Sequence, residues 1–564
     1  MARREVGVVN PSFYDRVAST LRRVTLYSLF CCQSMEFLDL ETSDDARIWV
    51  NRVILQLDYL LESNEEYHLS IPDPEDPFWA VAIADELSKN WQDFESVHLA
   101  FQVAGMDATL LKIAKWLRIS VVKPISDEST ALKRLVSVQS ATQLYLRIRQ
   151  GRFSRASGAL LQVAFASGHD TALRMGVDLL LQQPPESWSS GSLALSPLLQ
   201  YSDWNTDAVF PKILESTHPS VLASALDIAN HLFLEGTVSR HPCLDRFREL
   251  VDLLGAIVQR LALLEENPGK FGNTTDSIQR ILFDSVSLCV SLCHTMALIG
   301  NESCIGKLNQ ASELKHRRIR AEAAYALAKL GQKHGNEMLL ELVKDPSIRL
   351  RVLAYCDELG SDQEIDDSHR NVLSIAEAQL AQWLAQVEQM GLPPNKIELV
   401  EQRTLPWPGF DSPQECFLFR FAYSMQDREY SNVAIAGPTT KAFSTDLANI
   451  STDDAFSIFV GWDIEHPDVY ETPFSRLSAN DSELINRWQE TLLRDHFSEV
   501  EPVFVGTLIQ QKVLLGFGSK QSKRQSFAYD GSELIVPTSL PSTQESILLT
   551  YYLWRGREFL RSFA

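Results

Sequence analysis

The sequence predicts a mainly α protein: an array of stacked helix pairs followed by a smaller α+β domain. Three observations predict it. A unit one helical hairpin long occurs twice, His316 to Gly331 and Asp345 to Gly360, at an offset of 29 positions. Between Trp79 and about Met390, helical periodicity recurs across short breaks such as Gly168-His169, Pro184-Pro185 and His218-Pro219, with almost no strand signal. Beyond Pro406-Trp-Pro-Gly409 the aromatic and β-branched content rises, and strand patterns alternate with helices.

In the repeated unit, Ile319/Ile348, Arg320/Arg349, Leu330/Leu359 and Gly331/Gly360 coincide. The apolar positions Ile319, Ala323, Leu327, Leu330 and Ile348, Val352, Cys356, Leu359 step by four, four and three, which places them on one buried helix stripe. Each copy ends in Gly, the usual residue at a left-handed helix end. Glu337 to Lys344 supplies a short partner helix. Asp345-Pro346 restarts the chain with Pro in a first turn, where its missing N–H costs nothing. His218-Pro219-Ser220-Val221 echoes this start, with Leu222 where the better units have Arg.

This pattern resembles the short HEAT-type repeat of phycobilisome-lyase-like and related bacterial proteins, since longer HEAT and armadillo units run to about 40 to 47 residues. The resemblance covers about a tenth of the chain. It implies a HEAT-like α-solenoid, a scaffold that binds a protein partner without catalytic residues. It also implies a rival function, that of a phycobilin-lyase-like enzyme or chaperone positioning a linear tetrapyrrole for attachment to a protein Cys. No His is followed by Glu anywhere in the chain, which argues against the His-Glu iron sites of HEAT-type hydroxylases.

Composition narrows the function. With 564 residues, 45% hydrophobic and 22% charged, the chain can bury a large core and exceeds one ordinary domain. A net charge of −21, spread over both parts, disfavours bulk duplex nucleic-acid binding, which needs a basic face to displace counterions. The eight cysteines, including adjacent Cys31 and Cys32, show no disulfide framework, so reduced thiols and a cytoplasmic location are expected. The apolar run Val24 to Cys32 is far short of the roughly 20 residues that span a bilayer, so no membrane span is expected. Neither a metal nor another cofactor is expected.

In chain order, residues 1–78 are read as an N-terminal helical cap and 79–391 as the repeat array. Residues 392–409 are read as a Pro-rich linker and 410–564 as the α+β domain. In that domain Cys416 to Met425 and Asn432 to Ala436 are expected strands. Ser451 caps a helix expected to reach about Tyr470 unless Pro467 ends it early, and another helix spans Asp481 to His496. Hairpins follow at 503–517 and 525–536, then a final helix begun by a Ser542/Glu545 capping box.

Four clusters are candidate chemistry. Glu465, His466 and Asp468 offer metal-binding or acid/base groups, with Trp462, His466 and Tyr470 on one face if the helix survives Pro467; the alternative is a solvated helix end. Cys289, Cys293 and His294 have zinc-type donors but no complementary pair, so buried thiols are the simpler reading. Thr439, Thr440 and Lys441 follow a strand and precede an expected short helix, a setting that suits an anion. Lys520, Lys523 and Arg524 form a basic loop in an acidic domain, suited to an acidic protein partner.

Overall fold

The structure is a computed structural model that describes residues 78–89, 91, 106–122, 128–148, 154–184, 188–200, 204–386, 389–425 and 428–563. The expected N-terminal cap therefore lies outside the described residues save Phe78. The chain forms two compact units, Met1–Ala326 and Leu327–Ala564.

The first unit is helical throughout its described residues: α1 (Phe78–Lys89), α2 (Met106–Val122), α3 (Glu128–Ile148), α4 (Ser154–Ala166), α5 (Asp170–Gln182), α6 (Trp188–Leu195), α7 (Pro197–Gln200), α8 (Pro219–Leu234), α9 (Phe247–Glu266), α10 (Thr275–Ile299) and α11 (Ile305–Ser312). Helix α12 (Arg317–Lys329) carries the boundary between units. Local chemistry sets the helix ends. Pro219 occupies the first turn of α8, and α10 opens with a reciprocal Thr274/Ser277 capping box and ends at left-handed Gly300.

Helices α2, α4, α6, α8 and α10 form a row, each packed on the next, while α3 and α9 pack against members of it. Polar ties run along this row. Arg118 of α2 donates to Gln162 of α4 at 3.1 Å, Gln162 donates to the Leu193 carbonyl of α6 at 2.7 Å, and Ser192 meets Ser224 of α8 at 2.8 Å. Thr295 of α10 donates to Asn230 of α8 at 3.0 Å. One described helix, α10, is long and apolar enough to cross a membrane; most of it is buried, with Leu292, Cys293 and Met296 wholly so.

The second unit begins with α13 (Lys333–Leu342), α14 (Pro346–Leu359) and α15 (Val372–Leu384). Asp345 caps α14 by accepting from the Ser347 N–H at 3.0 Å, with Pro346 in the first turn. Gly331 and Gly360 adopt φ of +77° and +67°, as helix ends do. Ile319, Ala323, Leu327 and Ile348, Val352, Cys356 are buried. Leu330 and Leu359, expected to complete the stripe, are only half-buried, because the last turn before each Gly lifts toward solvent.

Two antiparallel sheets follow. Sheet 1 has the order β1 (Lys396–Leu405), β2 (Gln414–Met425), β3 (Arg428–Ala436), β4 (Lys441–Ala442), and leads to α16 (Thr452–Trp462). Sheet 2 has the order β5 (Val469–Pro473), β6 (Glu499–Leu508), β7 (Gln511–Lys520), β8 (Lys523–Tyr529), β9 (Leu534–Ile535). Helix α17 (Ala479–Asp495) lies between β5 and β6 in the chain, and α18 (Gln544–Arg561) ends it. Period-two alternation sorts the side chains. Cys416, Leu418 and Ile435 of sheet 1 and Val513, Leu515 and Ala528 of sheet 2 share one core with α16 and α18. On the opposite faces, Phe417, Phe419 and Phe421 pack on Ala376, Leu380 and Leu384 of α15, and Val505, Leu514 and Phe527 pack on Ile485 and Leu492 of α17. The layers run α15, sheet 1, α16 with α18, sheet 2, α17.

This arrangement is an internal duplication in which helix, four-stranded meander and inner helix occur twice. Strands β1 and β6 are each ten residues long and carry a bulge at the fifth, Val400 after Leu399 and Val503 after Pro502. The equivalences continue inward: Leu418 pairs with Glu401 as Leu515 pairs with Phe504. The Arg403 guanidinium sits over the Phe456 ring of α16, as Gly506 lies against the Tyr551 ring of α18.

Four sequence expectations change here. The stretch 392–409, read as linker, contains β1, whose alternation is masked by the charges of an edge strand. Residues 441–442 form β4, so no helix follows the Thr439-Thr440-Lys441 turn. Helix α16 ends at Trp462, and β5 takes up Val469–Pro473, because Pro467 cannot supply a helical N–H. The last helix is capped by Thr543, which accepts from Ser546, while Glu545 instead binds Ser444 at 2.6 Å.

Candidate functional site

The polar segment after α16 is held by two anchors. Trp407 Nε1 donates to Asp463 at 2.6 Å, and Arg555 of α18 donates to the Ile464 carbonyl. Glu465, His466 and Asp468 then lie exposed on a connection, not on a helix face with Tyr470. The Asp468 N–H donates to His466 Nδ1 at 3.1 Å, and the two side chains stand 3.8 Å apart, 51% and 66% exposed. Among the described residues no three His, Cys, Asp or Glu side chains gather closely enough to hold a metal ion.

Sequence reading left Lys441 and Trp462 on separate segments, and the fold brings them together. Lys441 Nζ lies 4.6 Å from the Trp462 ring centroid and 5.5 Å from that of Phe443, a cation held on aromatic faces rather than aimed at an anion. Phe443 stacks on Phe459 and Tyr552, and Tyr552 continues to Arg555, whose guanidinium lies 5.7 Å from its ring and 5.1 Å from Tyr551. Arg555 is 6% exposed and its Nε has no hydrogen-bond partner. Burial lowers its pKa. Burial likewise pushes the Tyr551 phenol up to about 12, so it stays protonated and donates to the Thr507 carbonyl at 2.9 Å. Arg555 was not legible as special, since nothing in Leu-Trp-Arg-Gly-Arg separates it from its half-buried, ion-paired neighbour Arg557.

Thr439 and Thr440 are half-buried in the turn between β3 and β4. Beside this turn lies a cleft of about 510 Å³ lined by Val372, Ile375, Phe410 and Phe417 together with Gln379, Gln414 and Glu415.

The basic loop is a two-residue hairpin turn, with Gln521 and Ser522 at φ of 53° and 62°. Lys520 and Lys523 face each other in register, both exposed. Arg524 is already engaged: it stacks on Phe517 at 3.6 Å and bonds Glu501 at 2.5 Å.

In the helical unit, Cys289 and Cys293 are fully buried. The hydrogen bond its S–H shares with Cys289, together with burial, holds the Cys293 thiol well above its ordinary pKa, which makes it inert rather than nucleophilic. Nearby, His241 Nε2 meets Asn230 Oδ1 at 3.0 Å while the Cys243 N–H donates to His241 Nδ1 at 3.2 Å, so Nε2 carries the proton of a neutral ring. Burial holds this imidazole down at about 4. No protein-family model matches the chain, and no curated protein or solved structure matches it.

Proposed function

We propose that the chain is a non-enzymatic protein–protein interaction scaffold or adaptor of the cytoplasm. In this reading the helical unit is a HEAT-like α-solenoid whose surface binds a protein partner, and the C-terminal domain adds a second contact that includes Lys520 and Lys523. The observation that carries the reading is the row α2, α4, α6, α8, α10, in which every second helix packs on the next and polar ties link neighbours. Such nearest-neighbour stacking makes long binding surfaces without catalytic groups. The exposed Glu465, His466 and Asp468 suit a solvated connection better than an acid/base centre, which sits in a concave site with partners that orient it.

The test is affinity capture with the full chain from native cells, followed by cross-linking mass spectrometry. A specific partner cross-linked to residues 106–299 is the expected result. Failure to capture any specific protein, or bound visible absorbance with transfer of a tetrapyrrole to an acceptor Cys, would overturn it.

A further inference from the structure

Among the described residues the internal duplication is incomplete at one place. In sheet 2 the outer edge of β6 is covered by β5, which pairs antiparallel with Phe504 to Leu508 beyond the bulge. In sheet 1 the equivalent strand β1 pairs only with β2 among the described residues, and sheet 1 has no counterpart of β5. The consequence shows in exposure. Phe504 to Leu508 are all buried, whereas their equivalents Glu401 to Leu405 are half-buried or exposed, with Leu399 and Val400 just before them 41% and 37% exposed. An uncovered edge presents a row of unpaired N–H and C=O groups. The shared bulge does not prevent pairing, since β6 has it and still accepts β5.

We propose that the outer edge of β1, over Glu401 to Leu405, binds an extended segment of a partner protein that adds as an antiparallel strand in the place β5 takes on β6. This deepens the adaptor reading and rests on it for why the strand should come from another protein. The chemistry at the edge selects the segment. Arg403 is flanked by Glu401 at 2.6 Å and by Asp453 at 2.7 Å, so two carboxylates surround one guanidinium and one negative charge is left over. In the template, the residue opposite the Arg403 equivalent, Gly506, is Glu471. On β1 the same place lies opposite Arg403, whose charge the two carboxylates more than cancel, so the net negative charge of the cluster attracts a basic residue and repels an acidic one. Backbone bonds then supply affinity and this one position supplies specificity.

The experiment measures binding of fluorescent peptides to the full chain by anisotropy. One peptide carries the sequence of Pro467–Phe474, and a second has Lys in place of Glu471. The Lys peptide is expected to bind saturably, at least about threefold tighter than the Glu peptide. N-methylating alternate backbone amides of the peptide should abolish binding for one alternation and spare it for the other, as only a ladder requires. Asp453→Lys, at a side chain 80% exposed, should reverse the preference between the two peptides while circular dichroism stays unchanged. Absence of saturable binding, equal effects of both methylation patterns, or a preference unmoved by Asp453→Lys would overturn the proposal. Partner capture by the helical unit does not enter this assay, so the two readings fail separately.

Discussion

Gly461 and Gly556 occupy the crossing of the two inner helices, each lying against the backbone of the other helix four residues before its glycine. A Cβ on Gly461 would come closer than 3.0 Å to the Tyr552 carbonyl, and one on Gly556 would come equally close to the Ser457 carbonyl. The contact is thus reciprocal, as a local two-fold between duplicated halves requires. Helix propensity alone favours Ala over Gly by up to about 1 kcal/mol. The clash is with backbone, which cannot rotate away, so sterics win. Gly461→Ala and Gly556→Ala are each expected to destabilise by about 3 kcal/mol, at the upper end of overpacking costs, read from denaturant midpoints. Because both force the same helix separation, the double variant should cost less than the sum.

Arg349 is buried among carbonyls and a carboxylate. Its side chain is 5% exposed and donates to the carbonyls of Val343, Lys344 and Ser374 and to Glu377 at 2.6 Å. Arg349→Ala leaves several buried acceptors and a carboxylate unpaired, with an expected loss of about 3 to 5 kcal/mol. Arg349→Lys should recover little of it, since a single ammonium cannot reach all four acceptors. Thermal denaturation of the two variants checks both statements.

His241 makes the helical unit sensitive to acid. Its ring is neutral at about 4 and above in the folded chain, against an ordinary value near 6.5. The unfolded chain therefore binds the extra proton between these values, and stability falls as pH drops from about 6.5 to about 4, then becomes flat for this group. By linkage the loss is on the order of 3 kcal/mol. His241→Gln, which retains a donor for Asn230, should lower stability at pH 7 but remove this slope. A slope unchanged by the substitution would assign the acid sensitivity to other groups.

Much of the fold was legible because its signals are local. Asp345-Pro346 and the glycines at 331 and 360 mark helix ends through backbone chemistry that needs no tertiary context, and β2, β7 and β8 are short apolar, aromatic-rich runs that read as strands buried on both faces. Strand β1 escaped because Lys396, Glu398, Glu401 and Arg403 interrupt its apolar alternation, as suits an edge. Strand β5 was hidden in the extrapolated end of α16, where Trp462, His466 and Tyr470 mimic helical spacing. The duplication was not legible, since its halves share bulge position and register but few residues, Leu418 with Leu515 and Gly461 with Gly556 among them. For the same reason the approach of Lys441 to Trp462, and of Arg555 to Tyr551 and Tyr552, is set by the α16–α18 crossing and leaves no trace in either segment alone.

The basic hairpin gives a final prediction, because its three cations do different things. Lys520 and Lys523 are exposed and directly opposed across the turn, a like-charge pair that costs a few tenths of a kcal/mol. Replacing both by Gln should leave stability within about 0.5 kcal/mol or raise it slightly. Arg524 instead covers the Phe517 ring and bonds Glu501, so Arg524→Gln removes a cation–π contact and a surface ion pair together, an expected loss of about 1 kcal/mol. The functional consequence follows from the same division. If the hairpin steers an acidic partner, Lys520→Gln with Lys523→Gln should slow association at low salt, and the difference should vanish as salt screens charges beyond about 8 Å. Stopped-flow association over a salt series separates the roles, and an equal rate for the double variant and the native chain at low salt would leave the two lysines with no part in steering.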